Sequence, residues 1–333
     1  MKNKVTVGID VSKSRLDYLS APRGMDWAEL QEMGTETIEN DSVVIEVWLR
    51  QFDRTSTLFV LEPTGSYSDK LLTKLGEGGY QVSLVNPQKS HYFSRMKGIT
   101  QKHDAQAARA LVRIGDTEDL PLYEPPGQEM KQRKQLLTAI NGLVKDSDAL
   151  ANRIHAFSQY HAPMPEIIQA LERAQAAIEA EITQLNAQFQ SISEEVFEQQ
   201  KKRAMTISGI GPVIATWLLV ITEGLAHFHS PRQLIKYCGL APQSHRSGSS
   251  VNIQKGITKQ ACAKIRAVLY MGAKSAIRYN LACKELYQRL RAKGKPYYKA
   301  MVAVMAKLLK QFFAVMKSGK DFDNEHYLKF QKN

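Results

Sequence analysis

Apolar and polar positions alternate from the start of the chain. Val5, Val7 and Ile9 alternate with Thr6 and Gly8, a period of two that predicts a strand. Asp10 stands at its carboxyl end. Thr57 to Glu62 is a second run of this kind, again ending in an acid. Strands this apolar need cover on both faces and are expected near the centre of a sheet. Arg15 to Leu19 is the expected hairpin partner of the first strand, and Pro22-Arg23-Gly24 is a turn signal. Val43 to Leu49, apolar with Glu46 inside, fits helix or strand and is read as helix. A further helix runs from the break at Glu62-Pro63-Thr64-Gly65 to Leu75, ended by Gly76, Gly78 and Gly79. Gln81 to Val85 is a strand stopped by Asn86-Pro87. From Thr100 to Ile114 a helical period returns, with Ala105, Ala108, Leu111 and Val112 on its apolar face. Residues 1–115 are therefore expected to form a mixed α/β domain.

The pattern changes after that. Residues 116–127 are acidic and proline-rich, with Pro121, Pro125 and Pro126, and read as a linker. Two long helical patterns follow within residues 128–200, from Glu129 to His155 and from Pro165 to Gln199. In the second, Leu171, Ile178, Leu185 and Ile192 repeat at seven, interleaved with Gln175, Ile182 and Phe189. That register predicts a coiled-coil arm, with Gln175 as a polar residue that fixes register. The arm is read as an oligomer contact, the alternative being a helical hairpin packed on itself. Residues 201–333 read as helical, with apolar Val213 to Ile221 and basic amphipathic helices over Thr258–Tyr279 and Pro296–Met316.

Charge sharpens this division. The chain of 333 residues carries a net +12 and is 43% hydrophobic. Residues 1–115 contribute +1, residues 116–200 contribute −8, and residues 201–333 contribute +19. A third this basic is a footprint for polyanions and favours nucleic acid. A membrane is disfavoured: the most apolar run, Val213 to Ile221, is too short to span one. The opening residues do not form a signal peptide. Cys238, Cys262 and Cys283 lack CxxC spacing and read as reduced thiols of a cytoplasmic protein.

Candidate chemistry lies at three places. Asp10, Glu62 and Asp104 are three separated carboxylates that a sheet can bring to one edge, which points to a divalent metal site. Ser208-Gly209-Ile210-Gly211 between two helices resembles a helix-hairpin-helix. Its Gly209 and Gly211 allow close backbone approach, and the following helix start offers N–H groups to a phosphate; the alternative is a plain helical corner. Ser244 to Ser250 reads as a flexible polar loop, where serines are ordinarily unreactive. Arg246, Lys255 and Lys259 are candidate phosphate contacts near it.

An ordered set of motifs then stands out: Gly8-Ile9-Asp10-Val11-Ser12-Lys13, Glu62-Pro63-Thr64-Gly65-Ser66-Tyr67, Val85-Asn86-Pro87, Lys102-His103-Asp104, Ser208-Gly209-Ile210-Gly211, Gly239-Leu240-Ala241-Pro242 and Ser247-Gly248-Ser249-Ser250. In this order and spacing the chain resembles the IS-one-ten family of insertion-sequence transposases, which includes the Piv and MooV invertases and the bridge-RNA-guided recombinases. The resemblance covers nearly the whole chain, least in the arm. It implies an N-terminal RuvC-like domain of RNase H fold with a D-E-D-D site for Mg²⁺, a coiled-coil arm, and a C-terminal domain bearing a serine nucleophile. Asp10, Glu62 and Asp104 match the first three acids, and Ser247 matches the serine. The resemblance also implies donor and target double-stranded DNA, a structured non-coding guide RNA, and a homo-oligomer, dimer or tetramer, in which metal site and serine come from different subunits.

One position departs from the family pattern. The fourth acid is expected three residues after Asp104, where Ala107 stands. Losing one of four carboxylates weakens metal binding. The other motifs are intact, which points to a replaced residue rather than a decayed site. Two rival readings remain at this stage: a metal-only nuclease of the Holliday-junction type, which needs no serine, and a non-catalytic nucleic-acid-binding protein.

Overall fold

The computed structural model describes residues 4–98, 104–192, 194–247, 251–258 and 263–325, and of residues 243–247 and 251–255 the backbone only. The chain divides into two compact units, residues 1–125 and 126–333.

The first unit is laid on its opening strand. In chain order it contains β1 (Val5–Val11), β2 (Arg15–Pro22), α1 (Trp27–Glu32), β3 (Glu36–Glu39), α2 (Ser42–Leu49), β4 (Thr57–Leu61), α3 (Asp69–Glu77), β5 (Gln81–Leu84), α4 (Pro87–Met96) and α5 (Asp104–Thr117). The sheet order is β3-β2-β1-β4-β5. β1 is antiparallel to β2 and parallel to β4, which is parallel to β5. β1 and β4 are thus central, as their apolar runs predict.

Alternation splits each central strand between two cores. Val7, Ile9, Val11, Phe59 and Leu61 pack with Ile45, Trp48 and Leu49 of α2 and Leu71 and Leu75 of α3. On the opposite face Leu58 and Val60 pack with Leu111 and Ile114 of α5, while Leu19 and Ala21 of β2 meet its Ala108 and Val112. Fully burying a Leu, Ile or Phe contributes about 1.5–3 kcal/mol. α5 lies very close to the sheet because β1 has a glycine under it. A Cβ at Gly8 would fall 2.2 Å from the Ala108 carbonyl oxygen. At the other end of α5, Thr6 Oγ1 donates to Asp116 (2.6 Å). α5 therefore runs antiparallel to β1, with its first residue at the carboxyl end of that strand.

The second unit contains α6 (Gln128–Ser158), α7 (Pro165–Ser191), α8 (Glu195–Met205), α9 (Pro212–Thr222), α10 (Pro231–Tyr237), β6 (Pro242–Ser247), β7 (Val251–Ile257), α11 (Ala263–Tyr279), α12 (Leu281–Ala292) and α13 (Tyr297–Ser318). α13 is its central helix: Met301, Val304, Met305, Leu308, Leu309 and Phe312 are all buried. The same core takes in Leu137 of α6, Phe189 of α7 and Phe197 of α8.

α6 and α7 form an antiparallel hairpin. The seam read from the heptads, Leu171, Gln175, Ile178, Ile182, Leu185 and Phe189, is the least exposed stripe of α7. It packs against α6 of the same chain, and Gln175 is held by Glu179 (3.0 Å) and reaches Ser147 of α6 (3.5 Å). Internal packing, the alternative weighed for this register, is thus what the chain shows. The helix expected to run on to Gln199 instead ends at Ser191 and restarts at Glu195. The cause is Arg133 of α6, which is 1% exposed. Its guanidinium donates to the Ile192 carbonyl (2.7 Å) and to Glu194 (2.5 Å) and lies 4.0 Å from the Phe197 ring. That draws Ile192 out of the helix and out of the seam. No described helix is long and apolar enough to cross a membrane.

Candidate active site

Asp10 is the penultimate residue of β1, and Glu62 directly follows its parallel neighbour β4. Ile9 pairs with Leu61 in the register of β1 and β4, and each acid is the next residue. Both follow the alternation that places Thr6, Gly8, Leu58 and Val60 toward α5, so the two carboxylates share that face of the sheet. Parallel neighbours present their sites at this carboxyl edge. Asp104 begins α5 at the same edge.

Local chemistry holds the loops around them. Glu62 accepts from Ser90 Oγ of α4 (2.5 Å). α4 starts there because Asn86 caps it, accepting from Gln88 N (2.9 Å), with Pro87 in its first turn. Asn40 ties the loop after β1 to the loop after β4. Its Nδ2 donates to the carbonyls of Ser12 and Tyr67, both at 2.9 Å. A polar residue in a Glu-Asn-Asp run between short elements carries no motif, and only its burial in the fold shows the role.

The three acids are not gathered around one point. Among the described residues no group of three or more His, Cys, Asp or Glu side chains is placed to hold a metal ion. Arg15 of β2 explains the arrangement at Asp104: its Nη2 lies 2.5 Å from that carboxylate and its Nε 3.1 Å from Asp17. The bond to Asp104, with the nearby charges, raises the Arg15 pKa further above its ordinary value. The donors are oxygen-only and suit a hard divalent cation in kind; in arrangement, Asp104 is engaged by a guanidinium. Ala107 lies one helical turn after Asp104, half-buried.

The sites of the second unit are differently built. The stretch expected as a flexible loop is a β-ribbon: β6 pairs antiparallel with β7, and Ser247, opposite Val251, is the last residue of β6. Arg246 lies opposite Asn252, and Lys255 opposite Gln243. The run Ser244 to Ser247 has no apolar alternation, so its strand character comes from backbone pairing with Val251 to Ile257 alone. Thr258, where a helix is expected to begin, lies outside α11, which is described from Ala263. Lys259 and Gly248 to Ser250 lie outside the described residues, as do Lys102 and His103.

The two hairpin glycines separate in role. Gly209, at φ 108°, packs the α8–α9 turn onto α11, where a Cβ would meet Ala276 Cβ at 2.7 Å. Gly211 is the residue before α9, and no atom lies within 4 Å of where its Cβ would be. Cys238 and Cys283 are free and buried. Burial pushes both thiols up to about 12, so neither is a nucleophile near neutral pH.

Comparison with known proteins bears on both units. Residues 7–163 match a DEDD transposase family model described as "Transposase". Residues 201–288 match a model described as "Transposase IS116/IS110/IS902 family". A pilin gene-inverting protein of Moraxella lacunata is 28% identical over 96% of this chain and 98% of its own. Its counterpart in Moraxella bovis shows the same identity and coverage. A transposase for insertion sequence element IS1111A of Coxiella burnetii is 24% identical over 66% of each chain.

Proposed function

Since the chain belongs to the IS110 (IS-one-ten) family of transposases, enzymes of DNA transposition and recombination, we propose that it cuts and rejoins DNA through a serine–phosphate intermediate. The observation that carries this reading is the placement of Asp10 and Glu62 at the ends of adjoining parallel strands, on the face covered by the helix that Asp104 begins.

The family's acidic signature implies a divalent metal, and Mg²⁺ suits oxygen donors and a phosphate substrate. When bound, such a cation offsets charge on the scissile phosphate and polarises it. Asp10 and Glu62 would hold it, with Asp104, here paired with Arg15, as the third candidate ligand. Ala107, at the place of the family's fourth acid, leaves this centre one ligand short. Asn40 and Ser90 position the loops and the Glu62 carboxylate.

Ser247 supplies the nucleophile. Its Oγ–P bond forms as one P–O bond to deoxyribose breaks, and the hydroxyl proton leaves to a base. Attack by a freed deoxyribose hydroxyl reverses the step, rejoins the strand and restores the serine, so no external energy source is needed. Gly211, Arg246, Lys255 and Lys259 contact phosphates, which positions DNA without reading its sequence. Sequence choice comes from a structured guide RNA. The first unit is a RuvC-like domain of RNase H fold. Residues 116–125, expected as part of a linker, belong to it, with Asp116 in α5 and the Tyr123 N–H bonded to the Val82 carbonyl. Residues 128–200 form the arm and 201–333 the helix-hairpin-helix domain. The enzyme works in the cytoplasm as a homo-oligomer.

The relatives that invert a gene favour this reading over a metal-only nuclease, because inversion requires rejoining as well as cutting. The test is strand exchange on labelled donor and target duplexes with Mg²⁺, comparing the present chain, Ala107→Asp, and Ala107→Asp with Ser247→Ala. Restored exchange in the second, lost in the third, is expected. Cleavage retained without Ser247 establishes the nuclease. Tight binding with no exchange in any form establishes the binding protein.

A further inference from the structure

The second unit carries a cluster of tyrosines that the serine and the hairpin leave unused. Tyr270 of α11, Tyr287 of α12, and Tyr297 and Tyr298 at the start of α13 come together on one surface. The Tyr270 and Tyr298 rings are stacked, 6.4 Å apart and 25° from parallel. Tyr297 meets Tyr298 edge-on at 5.3 Å and Tyr287 at 6.3 Å. Tyr270 OH donates to Tyr297 OH (3.4 Å). That bond pushes the Tyr270 phenol up to about 12, so this hydroxyl stays protonated near neutral pH.

Two features separate this cluster from core packing. Tyr298 is 72% exposed, an aromatic face held in place by its neighbours yet turned to solvent. The surroundings are also strongly cationic. Residues 263–318 hold thirteen Lys and Arg and a single acid, Glu285. Exposed Lys274 is one helical turn from Tyr270, and exposed Lys295 and Lys299 flank Tyr298. Aromatic faces set among cations are how proteins hold single strands, because every unpaired base offers a π face and the backbone offers phosphates. In a duplex the bases are already stacked on one another.

We propose that the tyrosine face of α11, α12 and α13 stacks the unpaired bases of single-stranded DNA. The partner follows from the family's DNA substrate, so the inference rests on the reading that the basic unit engages DNA. Tyr298 is the stacking residue, Tyr270 and Tyr297 are its positioning residues, and Lys274, Lys295 and Lys299 hold the backbone.

The experiment measures fluorescence anisotropy of the full chain with three labelled probes: a short oligo-dT strand, the same strand with abasic sugars, and a duplex of equal length. Tyr298→Ala is expected to weaken oligo-dT binding by about 5- to 150-fold, the range for losing one stacked base. It leaves the abasic strand and the duplex unchanged, and Tyr298→Trp retains oligo-dT binding. Lys299→Ala lowers affinity for all three probes and flattens the salt dependence. Unchanged oligo-dT binding in Tyr298→Ala, or equal loss on all three probes, overturns the proposal while leaving duplex engagement standing. An oligo-U strand that binds far more tightly than oligo-dT, with the same Tyr298 dependence, also overturns it by assigning the face to RNA. Failure of the parent chain to bind any DNA probe overturns the underlying reading instead.

Discussion

The carboxylates of the first unit and the serine of the second are supported in opposite ways. Asp10 and Glu62 lie at the ends of strands that are buried on both faces, with α2 and α3 beneath and α5 above. Ser247 ends one strand of a two-stranded ribbon that pairs with no other sheet among the described residues. The charge differs in the same sense, near neutral over residues 1–115 and +19 over residues 201–333. A cation site needs fixed oxygens at close spacing, which two packed layers provide. A nucleophile that forms and breaks a bond to a long polyanion needs surrounding positive charge more than a rigid floor. On the proposed function, the division of labour is also a division of architecture.

The sharpest way to break this comparison is to remove one residue from each side. Ser247→Ala and Asp10→Asn are each expected to lower strand exchange in the Ala107→Asp background by on the order of 10³-fold or more. Titration calorimetry with Mg²⁺ separates them: Asp10→Asn loses metal affinity and Ser247→Ala keeps it. Equal metal affinity in the two variants would erase the distinction.

Stability is expected to divide along the same line. Gly8→Ala drives a methyl group into the Ala108 carbonyl, 2.2 Å away, and costs about 3 kcal/mol, at the upper end for overpacking. Arg133→Met strips the buried guanidinium from Glu194 and Ile192, also costing about 3 kcal/mol. Hydrogen exchange should localise the first loss to β1 and α5 and the second to α6, α7 and α8. A uniform loss of protection in either variant would contradict the picture of two separately packed cores.

A smaller gain is expected from Ala107→Asp, at least about tenfold in metal affinity, the scale on which groups around a metal tune it. The smallest effect belongs to the turn before β4. Asp53 Oδ1 accepts from the amides and hydroxyls of Thr55 and Ser56, at 2.8–3.0 Å. Those bonds lower its pKa from 3.8 to about 2. A depressed carboxylate stabilises the fold above its unfolded value and ceases to as pH falls through the folded one. The parent's advantage over Asp53→Ala should therefore be full above pH 3.8 and fade toward pH 2, as read by urea midpoints.

Legibility in the sequence followed how each element is stabilised. β1 and β4 were readable because burial on both faces leaves an apolar run, and α2 and α5 because one face is buried. α1, β3 and α4 are not legible. α1 buries only Leu30, β3 alternates around the half-buried Ile38, and α4 buries no residue. The ribbon β6–β7 escaped because Gln243 to Ser247 carries no apolar residue, and its pairing is a backbone property. The break between α7 and α8 escaped because its cause, Arg133, is some sixty residues away. In the candidate site the three acids are legible from their places at two strand ends and a helix start, whereas the serine comes from motif order alone. Asn40 and the Arg15–Asp104 pair are long-range contacts that no local pattern encodes.

The central claim is a covalent one and is best tested by trapping it. Ala107→Asp protein mixed with Mg²⁺ and end-labelled donor DNA, then denatured, should yield a protein–DNA adduct whose mass places the nucleotide on the peptide containing Ser247. The Ser247→Ala variant of that protein should yield none. DNA cleavage without an adduct, or an adduct that persists in Ser247→Ala, would contradict the account.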